Sequence, residues 1–369
     1  MQTFPEIGHN AFLRLFPPPA YMRMPAVGID ISSQSVRFLQ FERSHGGAKI
    51  KIVGEEKIPE GAYNSEEIHE NDRLVKILTD IRERYGFHFV CASLPDEKAY
   101  LFKISVPQLS EKEMRDHIEL KLEENVPLAT SEVLFDYSII SAIRDPKSES
   151  ALEAAVSVFP KQVAESHARL FAMAGLMPRS FHIAAEAVAR ALVRRGDAGT
   201  YLIVNFGEKK TGIFVVSREV VLFGSTLNFG GEAMTLGIQK HFGVDRAKAV
   251  EIKRDASLLA DKETMTLFFS LMNPISALRD EINRLYLYWN THEDRAEEDR
   301  AKIDRVILCG GDSRIRGLDE YLSLSLGVPV DLADIWTNAF SLEKYLPSLA
   351  HDDSLDYAAA AGLALEGIY

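Results

Sequence analysis

Asp30 ends an apolar run in the stretch Val27 to Phe41, VGIDISSQSVRFLQF, and the polar residues Ser32, Ser33, Gln34 and Ser35 follow it at once. A buried run with a carboxylate at its mouth needs a partner for that charge, because an unpaired buried carboxylate is costly. A hydrated metal ion with phosphate oxygens would serve, and the N–H and hydroxyl groups of the following turn could face those phosphates. The stretch Tyr201 to Ser217, YLIVNFGEKKTGIFVVS, repeats the arrangement, with Asn205 at the matching place and then Gly207, Lys210 and Thr211. Two glycine pairs complete the inventory, Gly230-Gly231 ahead of Glu232 and Gly310-Gly311 ahead of Asp312. Such pairs let a backbone turn tightly or lie close to a ligand's base or ribose. A nucleoside triphosphate gripped between the two turns fits these groups.

The elements that must position them follow from pattern. Each stretch reads as strand, tight turn, strand, and each has a third strand after it, Lys49 to Ile58 and Glu219 to Ser225. Self-similarity of this kind predicts two related lobes with their turns facing each other across a cleft. In the first lobe a helix over Glu70 to Tyr85 and a buried strand over Phe89 to Leu94 complete an α/β unit. A different module begins near Asp96: a strand over Ala99 to Val106, a capping box of Ser110 and Glu113, a helix over Glu111 to Asn125, strands over Phe135 to Ile143 and Ala151 to Val158, and a closing helix over Gln162 to Ala174. A helix around Ala184 to Arg194 returns to the first lobe, with Gly196 to Gly199 as the hinge. The second lobe continues with helices over Glu232 to Phe242, Asp245 to Arg254 and Leu267 to Trp289, the last kinked or divided by Pro274. After the charged connection His292 to Lys302 come the strand Arg305 to Cys309 and a final helix Tyr357 to Glu366, whose small residues permit close packing.

Composition narrows the function. A net charge of −12 argues against a nucleic-acid partner, which would demand clustered Lys and Arg. Cys91 and Cys309 lie in apolar strands, as reduced core thiols do. No run approaches the ~20 apolar residues of a membrane span. No Walker loop, nucleophile elbow or HExxH spacing occurs, so those phosphate-binding, hydrolytic and zinc chemistries are not supported. Plainer readings stand beside the sharp ones: Asp30 as a turn carboxylate, Asn205 as a turn residue, Gly310-Gly311 as a tight turn without ligand.

Several stretches in order carry a resemblance: VGIDISSQSVRFLQF; SVPQLSEKEMRDHIELKLEENVPLATSEVLFDYSI; NFGGEAMT; LRDEINRLYLYW; VILCGGDSRIRGLDEYL; and AAAAGLAL. From Val27 onward the chain resembles the PilM family of type IV pilus assembly proteins, in the actin-like ATPase superfamily, with FtsA and the cytoplasmic part of GspL similar in architecture. The resemblance implies an actin-like fold of two duplicated lobes, an inserted α+β subdomain in the first, and ATP with Mg²⁺ between them. It also implies a cytoplasmic protein recruited to the inner membrane, with the N-terminal peptide of a PilN-like membrane protein docked between first lobe and subdomain. By position, Asp30 with Ser32 to Ser35 matches the first phosphate motif, and Asp30 the metal. Asn205, Gly207, Lys210 and Thr211 match the second motif; Gly230, Gly231, Glu232 and Lys253 the ribose side; Gly310, Gly311 and Asp312 the adenosine motif. The chain departs from the family pattern in four ways. Ser32 replaces a Gly, Asn205 replaces an Asp, and Val250 stands where a Glu is expected. Arg37 keeps the basic residue that closes the first hairpin, with a solvated side chain as its plainer reading.

The expected divisions are a tail over 1–24, a first lobe over 25–95 and 175–197, the inserted subdomain over 96–174, and a second lobe over 198–369 with a peripheral part over 228–274. The patch Ile118, Leu122, Val126 and Leu128 reads as core with a share available to a peptide groove. The rival functions are an active ATPase or kinase of the superfamily, a scaffold that binds no nucleotide, and an actin-like filament.

Overall fold

The computed structural model describes residues 24–44, 47–59, 61, 63, 72–145, 148–258, 265–291 and 302–368. Of the expected N-terminal tail only Met24 falls within them, and of the charged run 292–302 only Lys302. The chain forms two compact units, the first comprising residues up to Ala191 with Trp336–Pro347 and Ala359–Tyr369, the second Leu192–Ile335 with Ser348–Ala358.

Unit 1 is built on a five-stranded sheet of order β3-β2-β1-β4-β8, where β1 is Ala26–Ile31, β2 Ser35–Ser44, β3 Gly47–Lys57, β4 Phe89–Leu94 and β8 Met177–Ile183. The hairpin strands are antiparallel and β1, β4 and β8 parallel. The apolar run of β1 is buried because both faces of the sheet are covered. One face carries α1 (Asp72–Tyr85), through Leu74, Leu78 and Ile81, in a core with Val27, Ile29, Phe38 and Val90. The partner strand β8 was not anticipated: its alternation is broken by Pro178 and Arg179, and only pairing with β4 shows it.

The three-stranded sheet β5-β7-β6 (Tyr100–Pro107, Ser148–Pro160, Val133–Asp145) and α2 (Glu111–Asn125) form the module between β4 and β8. Its capping box is present: Glu113 accepts from the Ser110 N–H at 3.1 Å and from its hydroxyl at 2.6 Å. Ile118, Leu122 and Val126 are fully inside the module core, with Leu128 packed on it, so this patch is interior and not groove. The helix expected to close the module, α3 (Lys161–Met173), packs elsewhere. Its Leu170 and Phe171, with Ala174 beyond, belong to the core under β1 and β4, which corrects the 96–174 boundary.

Unit 2 repeats the plan in the order β11-β10-β9-β12-β13: β9 Thr200–Phe206, β10 Thr211–Ser217, β11 Val220–Leu227, β12 Arg305–Cys309, β13 Val330–Leu332. Helices α5 (Glu232–Phe242), α6 (Arg246–Arg254) and α7 (Met265–Thr291) lie between β11 and β12, and α8 (Leu318–Leu326) between β12 and β13. Pro274 lies inside α7 without dividing it. The end of the chain leaves the expected second lobe. Trp336 stacks on Phe340 and meets Phe41 edge-on, while α9 (Ala358–Glu366) lies over β1. A side chain at Gly28 would reach within 2.2 Å of the Ala360 carbonyl oxygen, so the glycine admits the helix backbone. The α4 helix (Ala184–Leu192) meets α9 the same way, Gly362 lying against Ala187.

Candidate functional site

Asp30, the last residue but one of β1, is paired with Arg37 across the hairpin and half-buried. Ser93, on β4 alongside, donates its hydroxyl to Asp30 Oδ1 at 2.6 Å. The turn beyond is closed by the Ser32 N–H donating to the Ser35 carbonyl at 2.9 Å. The Ser32 hydroxyl accepts from the N–H of Gln34 at 3.3 Å and of Ser35 at 3.1 Å. Two of the N–H groups expected to meet phosphate therefore point to a side chain of the turn itself, a direct consequence of the hydroxyl at position 32. Ser33 and Gln34 are half-buried and Ser35 is buried. Arg37 is not a solvated residue: it pairs with Glu55 on β3 at 3.0 Å.

A carboxylate that sequence reasoning passed over completes this half. Asp96 follows β4 and accepts the Ala185 N–H, at the first turn of α4, at 2.9 Å. Burial raises its pKa; the Ala185 N–H opposes this, Glu97, Asp30 and Glu186 add to it, and the carboxyl is pushed up to about 7. Burial, then Glu97 and Asp30, likewise raise the Tyr63 phenol. The signal for Asp96 lay in the repeat. Ala92 stands opposite Ile29, and Leu308 opposite Val204, so Asp96 holds after β4 the place that Asp312 holds after β12.

In unit 2, Asn205 pairs with Gly212 across the hairpin as Asp30 pairs with Arg37, and the Gly207 N–H donates to the Lys210 carbonyl at 3.1 Å as in the first turn. This turn is docked on the start of α5. The N–H groups of Gly231 and Glu232 donate to the carbonyls of Gly207 and Glu208 at 3.0 and 2.8 Å, and the Thr211 hydroxyl to the Phe229 carbonyl at 2.6 Å. Arg246 binds Glu208 at 2.7 Å and Glu232 at 2.8 Å, fixing the same corner. The beginning of α5 is thus spent on the protein and not held open for an anion.

Lys253 on α6 meets Asp312 at 2.6 Å, both side chains about one-tenth exposed, and also donates to the Gly231 carbonyl at 3.2 Å. Burial raises the Asp312 pKa; Lys253 opposes this, Glu208 and Asp356 add to it, and the net shift is upward. A Cβ at Gly231 would fall 2.0 Å from the Asp312 carboxyl carbon, one at Gly310 2.5 Å from the Phe206 carbonyl oxygen, and one at Gly311 2.4 Å from Asp356 Oδ1. Gly230 is likewise filled by the Gly207 and Glu208 carbonyls. The side-chain positions left bare by all four glycines are taken by protein atoms, so each glycine is required by close packing within the protein. Gly310, at φ +86°, also needs glycine for its backbone. Val250 lies exposed on α6 and offers no polar group.

Among the described residues no three His, Cys, Asp or Glu side chains could hold a metal by themselves. Mg²⁺ binds through one or two carboxylates together with water and phosphate oxygens. Asp30, with the like charges of Asp96 and Glu97 near it, suits a cation carried in on phosphate. Asp30 and the Ser32–Ser35 turn are thus compatible with a magnesium-bound phosphate, and in unit 2 Lys253 and Asp312 satisfy one another.

Known structures place the fold. The chain is similar to a solved "PilM-PilN type IV pilus biogenesis complex" at 19% identity and TM-score 0.76, with 94% of this chain and 99% of that one covered. It is similar, more distantly, to MreB 5 of Spiroplasma citri bound to AMPPNP, at 12% identity and TM-score 0.53 over 92% of this chain and 94% of that one. The ethanolamine utilization protein EutJ from Carboxydothermus hydrogenoformans gives 14% and 0.52, over 92% and 89%. At these identities the likenesses establish an actin-like fold. The family model described as type IV pilus assembly protein PilM matches residues 28–368, nearly the whole length, and the chain belongs to that family.

Proposed function

We propose that this protein is a nucleotide-binding adaptor of the type IV pilus inner-membrane complex, held at the cytoplasmic face by a PilN-like membrane partner whose N-terminal peptide docks on unit 1. The observation that carries the docking is the module β5-β7-β6 with α2. It has a hydrophobic core of its own, and it is fastened to the lobe by the Ser157 hydroxyl donating to Glu186 on α4 at 2.6 Å. A module with a private core can present a surface without disturbing the lobe that carries it. With Ile118 and Leu122 buried, the apolar groups left for a peptide are exposed ones such as Leu134 and Ile139 on the edge strand β6. No helix among the described residues is long and apolar enough to cross a membrane, in keeping with recruitment by a partner.

The nucleotide would be held on its phosphate side by Asp30, through Mg²⁺, and by what remains of the Ser32–Ser35 turn. Bound magnesium would shield the triphosphate charge. Turnover is not part of the proposal, since Asn205 and Cys309 stand where the first half has Asp30 and Ser93, and neither supplies a carboxylate. Nucleotide and peptide that favour the same state of the chain must each tighten the other.

Titration of the full chain with the labelled N-terminal peptide of a PilN-like partner, with and without Mg-ATP, tests this. Tighter peptide binding with nucleotide is expected. Equal binding removes the coupling and leaves the adaptor; absence of peptide binding removes the adaptor. The Lys253–Asp312 pair favours one second reading, a scaffold that binds no nucleotide, which absence of heat with Mg-ATP and intact peptide binding would establish.

A further inference from the structure

We infer that the Lys253–Asp312 ion pair is a latch across the nucleoside side of unit 2, and that Asp312 is the residue that limits nucleotide affinity. The inference rests on the nucleotide reading above and adds to it where the obstacle lies. The pair joins two of the segments between which a nucleoside would have to lie. Lys253 comes from α6 and donates to the carbonyl of Gly231, at the Gly230-Gly231 turn; Asp312 comes from the Gly310-Gly311 turn. The Asp312 carboxylate fills the space that the missing side chain of Gly231 leaves, so it is a packed part of the wall as well as a charge.

Three features make the latch hold. Both groups are about one-tenth exposed, so salt screens them weakly. Parting them leaves a buried carboxylate and a buried ammonium, each of which must find a new partner in the ligand. Neighbouring side chains also discourage opening from either side. Arg314 is held by Asp353 and Asp356 at 3.2 and 2.6 Å, so it is engaged and does not offer Asp312 an alternative cation. Arg246 is engaged by Glu208 and Glu232. A ribose hydroxyl or a base edge could replace only part of what the pair loses. Both members of the latch, and the Gly231 carbonyl that Lys253 also binds, belong to unit 2.

The test compares Mg-ATP with Mg-tripolyphosphate, which has the phosphates and no nucleoside, by calorimetry on the full chain. Asp312→Ser removes the carboxylate and leaves Lys253 its bond to the Gly231 carbonyl. Asp312→Asn keeps the shape and weakens the pair, and serves if the serine variant does not fold cooperatively. Mg-ATP is expected to bind at least ten-fold more tightly to Asp312→Ser, by a smaller factor to Asp312→Asn, and Mg-tripolyphosphate equally to all. Unchanged or weaker Mg-ATP binding in both variants overturns the latch and leaves the nucleotide reading intact. Equal gains for ATP and tripolyphosphate overturn it too, since the barrier would then not be on the nucleoside side. If neither wild type nor folded variants bind either ligand, the nucleotide reading falls and the latch with it.

Discussion

Asp96 and Asp312 stand at the same place in two copies of one sheet, each after the strand beside a phosphate-type hairpin, and they are used differently. Asp96 accepts a single N–H from the start of α4 and sits among other carboxylates. Asp312 takes a lysine and fills the space beside a glycine. The neighbouring positions diverge in step. Ser93 donates to Asp30 in unit 1, whereas Cys309 and Asn205 are register partners in unit 2 and carry no charge. Burial alone raises the Cys309 thiol, so it stays protonated at neutral pH. Duplication preserved backbone positions and left the charges free to drift. In one copy the aspartate accepts a helix N–H with other carboxylates nearby, and in the other it is paired with a lysine.

The sharpest way to break that contrast is to remove one partner on each side. Lys253→Met leaves the Asp312 carboxylate buried without a cation, and chemical denaturation should show a loss of about 3–5 kcal/mol. Asp96→Ala removes one helix-cap acceptor and relieves repulsion, so its cost should not exceed about 1 kcal/mol. The double variant Lys253→Met/Asp312→Leu should recover most of the first loss. Similar costs for the two single variants would mean that the two aspartates are not in different situations.

A second difference concerns what covers each sheet. Gly28 and Ile203 stand three residues before the matching hairpin residues Ile31 and Phe206, and both are interior. At Gly28 a methyl group would meet Ala360 O at 2.2 Å and Ala364 N at 2.5 Å, main-chain atoms of a packed helix. Gly28→Ala should therefore cost about 3 kcal/mol, read as a lowered melting midpoint of the full chain. A neutral result would show that α9 does not rest on β1 in solution.

These two sites also mark how far the sequence was legible. The hairpins, the third strands, the capping box at Ser110 and the close-packing role of the small residues before Glu366 are local patterns, and period and turn chemistry suffice to read them. The strands β8 and β13 are edge strands, one carrying Pro178 and the other only three residues long, and their identity comes from pairing. The assignment of α3 and of Trp336–Pro347 to unit 1 depends on long-range contacts that no local pattern encodes. In the candidate site the residue types were legible and their partners were not. Lys253 and Asp312 are ligand candidates through the family resemblance alone, and only three dimensions show each occupied by the other.

Nucleotide binding sharpens the comparison next. If Asp30 carries the magnesium contact, Asp30→Ala should weaken Mg-ATP about 100-fold, about 2.7 kcal/mol, whereas Asn205→Ala, which removes a neutral amide, should change it only a few-fold. Ser32→Gly releases the N–H groups of Gln34 and Ser35 for phosphate, so affinity should rise by about 1 kcal/mol while the turn loses its own hydrogen bonds. Calorimetry in Mg²⁺ and in EDTA checks all three. Equal losses for Asp30→Ala and Asn205→Ala would remove the distinction between a charged and a neutral half.

The smallest expected effect is a slope against pH. Asp96 has a folded pKa of about 7, above the ordinary aspartate value. Its protonated form is therefore favoured by folding, and the stability it contributes is complete below about pH 4 and fades as pH rises through 7. Glu55, Glu186 and Glu366 are shifted down, so their contributions disappear only on the acid side. His167 is shifted down by burial and opposes the Asp96 slope near pH 6, while His182, shifted up through Glu186 and Glu366 against its burial, adds to it at higher pH. The difference between wild type and Asp96→Asn cancels these other groups. Between pH 5 and 7.5 the wild-type melting midpoint should fall relative to that of Asp96→Asn, in which the amide oxygen can still accept from Ala185 and nothing titrates. Parallel curves would show that folding does not change the protonation of Asp96 in this range, and that its surroundings do not set it apart from Asp312.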